Sequence, residues 1–178
     1  MVDRTWELMQ KHLESDIYFI ASSQGSAPSE QTLCSIANAL QCELPADFVT
    51  HATNNYGGLY VEVKEELWPR PKEFEVGRFW SFLYGLYTLN CAQGIPDFMD
   101  LESRAREFQQ ETSHIAIPFL KIIGDADVYC FDQRGLVVRW NHELNELEQQ
   151  KKSFFEVLDF ELGELADRKE RKVATGNA

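Results

Sequence analysis

The sequence has no apolar run approaching the roughly 18 uninterrupted residues that a membrane-spanning helix needs. Its richest stretch, Phe79 to Leu89, is broken by Ser81, Gly85 and Thr88, so no contact with a bilayer core is expected. Basic residues are also scarce: 17 Lys and Arg stand against 29 Asp and Glu, a net charge of -12. A field of that sign repels phosphate backbones, and nucleic acid is not an expected partner. Cysteines number only 4. Cys34, Cys42, Cys91 and Cys130 lie far apart with no Cys-x-x-Cys, which argues against zinc and against a disulfide framework. The amino end, Met-Val-Asp-Arg-Thr-Trp-Glu, lacks the apolar core and cleavage site of a secretory leader, and a cytoplasmic location is expected.

Chemical motifs are missing as well. Gly57-Gly58 is followed by a strand pattern rather than by the Lys and Ser/Thr of a phosphate-binding loop. Asp125-x-Asp127 resembles the start of a calcium loop, but Tyr129 stands where the third oxygen ligand belongs, and no Glu arrives at the twelfth position. The pair is expected instead to hold a turn by bonding backbone amides. His142 beside Glu143 has no partner nucleophile, and His12, His51 and His114 sit in unrelated segments. No catalytic residue, metal or cofactor is expected. An enzyme or small-ligand site built from Asp125, Asp127 and His142 would require those side chains to converge.

What the chain does have is material for a core. Hydrophobic residues make up 44% of the 178, with 12 Phe, 6 Tyr and 4 Trp, enough for one ordinary folded domain and too much for a disordered chain. A short helix is expected over Asp3 to Glu14. Ile17-Tyr18-Phe19-Ile20 is an apolar cluster, and the Ser-, Gly- and Pro-rich residues 22–28 form a loop. Ser29 can cap a helix whose Leu33, Ile36, Ala37 and Leu40 share one face. Leu44-Pro45-Ala46-Asp47-Phe48 starts another, with Pro45 at its first position, and Asn54 to Gly58 stops it.

Leu59, Val61 and Val63 alternate with polar residues, the pattern of a strand with one buried face. Trp68-Pro69-Arg70-Pro71 belongs to an exposed connection over residues 67–78. Residues 78–89 favour one or two strands with Gly85 at a bend, helix being the weaker alternative. Asp100 caps a helix bearing Leu101, Ala105 and Phe108. Ile115 to Ile123 reads as a strand whose Pro118 places it at an edge or a bulge. Val128 to Phe131 and Leu136 to Trp140 form a hairpin closed by Gly135, and Ser153 to Glu156 is a capping box before a helix carrying Phe154, Leu158, Leu162 and Leu165. Beyond Ala166 the charges mix, and residues 166–178 are expected to fray. The resulting class is α+β: one domain, a largely antiparallel twisted sheet covered by N-terminal and C-terminal helices.

The order of these pieces resembles the SUKH superfamily of bacterial immunity proteins and fungal regulators of cell-wall glucan synthesis. Leu44-Pro45-Ala46-Asp47-Phe48 is similar to the family's Leu-Pro-x-Asp helix start, and Asn55-Tyr56-Gly57-Gly58 to its Asn-Gly-Gly turn. Gly124-Asp125-Ala126-Asp127-Val128-Tyr129 and Gly135-Leu136-Val137-Val138-Arg139-Trp140-Asn141-His142 resemble its Gly-Asp and Gly-x-Val-x-x-Trp-x-His strands. Ser153-Phe154-Phe155-Glu156-Val157-Leu158 is similar to its closing helix. The resemblance covers residues 29–165, with residues 1–28 as an extension packing on that domain. Tyr56 within the turn and the long aromatic segment 74–91 depart from the pattern.

The resemblance implies an immunity-type protein that binds and neutralises a cognate toxin domain, one directed at nucleic acid, by direct contact. The alternative is an intracellular scaffold or regulatory module related to the cell-wall regulators. Acidity adds a basic toxin domain as the expected protein partner, since complementary potentials accelerate encounter. Candidate partner-binding residues are Glu62, Glu65, Glu66, Trp68 and Arg70, an acidic stretch running into the residue types that dominate interface energetics. Against that stands the reading in which Trp68 folds back onto the sheet and the glutamates are simply solvated. Glu143, Glu146 and Glu148 form a second acidic cluster in the connection before the last helix.

Overall fold

The computed structural model of the chain describes residues 3–74 and 76–176. Helix α1, Arg4–His12, begins at Asp3, whose carboxylate accepts the Thr5 N–H at 2.9 Å. It leads into strand β1, Tyr18–Ala21, so the apolar cluster of residues 17–20 is a strand, and residues 3–28 contribute to the same sheet as the rest. Helices α2, Glu30–Ala39, and α3, Ala46–Ala52, follow as the apolar spacing predicts. Pro45 occupies the capping position of α3 rather than the first helical one. Asp47 then serves two helices: its Oδ1 accepts the Phe48 N–H at 2.8 Å, and its Oδ2 accepts the Phe154 N–H at 2.9 Å.

The remaining strands are β2, Tyr60–Val63; β3, Gly85–Thr88; β4, Ala116–Ile122; β5, Val128–Asp132; β6, Val137–Asn141; and β7, Glu146–Gln149. Between β3 and β4 runs α4, Leu101–Thr112, and α5, Phe154–Gly176, closes the chain. The seven strands pair in chain order, each antiparallel to the next. The fold is α+β, with α1 and α5 packed together over one face.

Several local expectations are corrected. Phe79–Phe82 is a 3-10 turn, and only Gly85–Thr88 of the aromatic stretch is a strand. Gly85 is required there because a Cβ would lie 2.6 Å from the Val61 carbonyl oxygen. Pro118 sits at a bulge as expected, but in an interior strand between β3 and β5. The extra residue sends both Phe119 and Leu120 into the core while Pro118 and Lys121 face the other side. Helix α5 does not fray at Ala166. It continues to Gly176 because Arg168 and Lys169 bury their side chains, Arg168 donating to the Leu83 carbonyl at 3.2 Å.

The inner face of the sheet carries the main core. Phe48, Phe119, Phe131 and Phe154 are fully buried, with Phe119 and Phe131 stacked at 4.1 Å between ring centroids. The outer face is treated unequally. Over β4 to β6, α4 sets Phe108 against Ala116, Val128, Cys130 and Val138, with Trp140 packed on the group. The outer-facing rings of β1 to β3 are left partly exposed, and this asymmetry positions the candidate site.

Candidate binding surface

The first expected cluster divides when its side chains are placed. Trp68 is fully buried, its indole N–H donating to the Ser81 carbonyl at 2.9 Å, and so is corrected from a partner-binding residue to a core residue. Glu62 and Arg70 meet each other at 3.2 Å. The Arg70 guanidinium also donates to the Trp68 and Val63 carbonyls and lies 4.1 Å over the Tyr84 ring. Arg70 thus fastens the 64–70 turn to the sheet, holding Glu62 in place. Glu65 and Glu66 remain exposed at that turn.

The second cluster lies elsewhere. Glu146 and Glu148 are on β7, an edge strand that the sequence reading assigned to a connection, while Glu143 stands exposed in the preceding turn. Glu146 opposes Asn141 and Glu148 opposes Arg139 across the β6–β7 ladder. Strand β7 is five steps from β2 in the sheet, so the two acidic groups are about 24 Å apart at ordinary strand spacing. They are separate surfaces.

Asp125, Asp127 and His142 do come together. The Arg139 guanidinium approaches Asp125 at 2.8 Å and Asp127 at 3.5 Å. Asp127 Oδ1 lies 2.7 Å from His142 Nδ1 and accepts the His142 backbone N–H at 3.1 Å. Asp125 accepts the Asp127 N–H at 3.0 Å, the backbone-bonding turn expected from the sequence. Burial works to raise the Asp127 carboxyl, but the hydrogen bonds from His142 and the Arg139 charge outweigh it and hold it below the usual range. The Asp125 and Asp127 carboxylates are committed to Arg139, His142 and the turn backbone, and neither cleft described below is lined by these three residues.

The feature that no local motif announces is a cleft of about 430 Å3 on the open half of the outer face. Phe19 and Ala21 of β1, Tyr60 and Glu62 of β2, and Phe98 form its body, and the loops 22–26 and 93–96 form its rim. Four rings meet here: Phe19 against Tyr60 at 6.2 Å, Tyr60 against Tyr87 at 6.2 Å, and Phe98 against Tyr87 at 5.2 Å. Phe19 is 51% exposed and Phe98 46%. The Tyr60 hydroxyl donates to Glu62 at 2.9 Å, and burial, with that bond and the Glu62 charge, raises its proton affinity far above a free phenol's. A second, smaller cleft of about 180 Å3 shares Phe98 and continues along α4 to Lys121 and Trp140. Alternation within β1 and β2 marks Phe19, Tyr60 and Glu62 as one side of the sheet. That signal was present in the sequence, but nothing there tells which half of the sheet α4 leaves open.

Apolar rings with a few polar groups in a concave setting can hold an apolar side chain or an extended segment. No helix among the described residues is long and apolar enough to cross a membrane. No family model matches the chain, and no curated protein matches it.

Proposed function

We propose that this chain is an immunity-type binding protein that neutralises a basic toxin domain by direct contact, without catalysis. The observation that carries the reading is the uncovered aromatic half-face of the sheet, with the Glu62 carboxylate in its wall, in a chain of net charge -12. Large rings concentrated in a concave patch are the composition of an interface centre. Surrounding acidity steers a cationic partner to it and repels nucleic acid. The ordered motifs that resemble the SUKH superfamily supply the more specific role. Within this fold their residues are structural, Asp47 capping α5 and Asp125 holding the β5 entry, which leaves the surface free to differ between partners.

The test is co-expression in the cytoplasm with the toxin domain encoded nearest to this chain's gene. Rescue of growth together with co-elution supports the reading. Growth arrest that persists, with no complex on gel filtration, overturns it. The scaffold alternative is separated by a pull-down that recovers a resident cell-wall synthesis protein instead.

A further inference from the structure

Strand β1 is an edge of the sheet, and its hydrogen-bonding register leaves part of its backbone unused. Phe19 faces Glu62 and Ala21 faces Tyr60, and the Lys64 N–H reaches the Ile17 carbonyl at 2.9 Å. Residues 19 and 21, and the carbonyl of Ile17, therefore direct their backbone groups to β2, and residues 18 and 20 direct theirs away from it. The Tyr18 N–H is taken by the Glu14 carbonyl at 3.3 Å. The N–H and C=O of Ile20 have no hydrogen-bond partner among the described residues.

The outward side chains of this same strand, Phe19 and Ala21, line the 430 Å3 cleft. A chain laid beside β1 would run about 4.8 Å away, with every second side chain on the cleft side. Edge backbone supplies main-chain bonds and the adjoining pocket selects a side chain, which are the two components of strand addition. The opposite edge lacks this combination: Leu147 and Gln149 present free backbone on β7, but neither cleft is lined by a β7 residue. Asp16 is exposed just before β1, as is Glu14, which lies 3.8 Å from the Lys169 ammonium, and Glu62, paired with Arg70, lies in the cleft wall.

We infer that the β1 edge accepts an extended segment of a protein partner, which adds an eighth strand and seats one bulky apolar side chain against Phe19, Tyr60 and Phe98. Lys or Arg residues flank that side chain, matched to the exposed Asp16 carboxylate and to the chain's net charge of -12. This rests on the proposed binding role and names the mode by which the partner docks.

The probe is the capped peptide Lys-Val-Phe-Val-Lys, titrated to millimolar concentration into the full chain and followed by backbone amide shifts. Its polar counterpart Lys-Thr-Ser-Thr-Lys is the control. Saturable shifts at Ile20, Ala21 and Gly94, with slowed exchange of the Ile20 N–H, are expected for the first peptide alone. Ile20→Pro removes an N–H that points off the sheet, at an edge position where Pro is tolerated, and Ile20→Ala, which trims the same core-packed side chain but keeps the N–H, is its control and leaves the shifts in place. Ala21→Trp fills the cleft from an exposed position, and remains informative if the Pro variant does not fold. Ile20→Pro and Ala21→Trp abolish the shifts, and Gln149→Pro on the far edge leaves them. Shifts that are absent, that are shared by the polar peptide, or that fall on β7 overturn the inference, as does a dimer of this chain that Ile20→Pro dissolves. Toxin binding that survives Ile20→Pro and Ala21→Trp refutes this docking mode and leaves the proposed function standing. Peptide shifts in a chain that binds no toxin do the reverse.

Discussion

Asp47 Oδ2 accepts the backbone N–H of Phe154 at 2.9 Å, across 107 residues of sequence. The first helical N–H groups have no partner within their own helix, so a carboxylate there satisfies a donor and complements the positive end of the dipole. Asp47 does this for α5 from the first turn of α3, locking the two helices in one orientation. Replacing it by Ala is expected to cost about 1–3 kcal/mol in urea unfolding. Asp47→Asn keeps an acceptor and is expected to lose less. Equal losses for the two variants would show that packing, not the hydrogen bond, sets the effect.

His51 is completely buried between Thr5 Oγ1 at 2.8 Å and Thr88 Oγ1 at 3.0 Å. Burial pushes its imidazole down to about 3. The unfolded chain takes up a proton below about 6.5 and the folded chain does not, so stability falls as pH drops through that window, by about 1.4 kcal/mol per pH step once well below 6.5. Asp127, held low, adds a loss in the same direction nearer pH 4. Glu161, raised by burial, works oppositely, since its protonation relieves a cost of folding. Thermal melts from pH 7 to pH 5 should show a decline in Tm that His51→Gln removes. A variant with the wild-type pH profile would exclude His51 as the cause.

Gly85 is packed so closely that a Cβ would meet the Val61 oxygen at 2.6 Å and both Glu62 Cβ and Ile123 Cδ1 at 2.9 Å. Two of those three atoms belong to β2, so the added methyl forces β2 and β3 apart. Gly85→Ala is expected to destabilise by roughly 1–3 kcal/mol, measured by urea unfolding, and to accelerate amide exchange at Val61 and Leu86. Gly94→Ala is a counterpart with open space around it, though its φ of 78° carries its own strain. It should leave β2–β3 exchange unchanged.

Much of this fold was legible because buried faces repeat at regular intervals. Leu33, Ile36, Ala37 and Leu40 are all buried, and the row Phe154, Leu158, Leu162 and Leu165 is fully so. Gly135, at a φ of 72°, closes the β5–β6 hairpin where the sequence places it. Strand β7 was not legible, since Glu146-Leu147-Glu148-Gln149 offers one apolar residue and is exposed along most of its length. Its pairing comes from the β6 template rather than from its own composition. The run of α5 past Ala166 was hidden because Arg168 and Lys169 look solvated while their stems are buried. The cleft escaped for a further reason: Phe19, Tyr60 and Phe98 come from separate segments, and only the sheet register and the placement of α4 bring them to one open face.

Trp68 and its neighbours Glu65 and Glu66 make opposite predictions despite their proximity. Trp68 is buried with its N–H bonded to Ser81, so Trp68→Ala empties a large core site and is expected to cost about 3–5 kcal/mol of stability. Any loss of binding in that variant should follow the loss of folded protein, and Trp68→Phe should restore part of both. Glu65 and Glu66 are exposed, and Glu62 is already paired with Arg70. The double substitution Glu65→Lys with Glu66→Lys should leave Tm within about a degree or two, as surface changes usually do. It changes the net charge from -12 to -8, two carboxylates lost and two ammonium groups gained. Partner association should therefore slow by several-fold at low salt, and the difference should fade as added salt screens exposed charges. Stopped-flow association rates at two ionic strengths read this directly. A slowed rate that persists unchanged at high salt would mean that the two glutamates lie inside the contact itself, moving the binding surface from the cleft to the 64–70 turn.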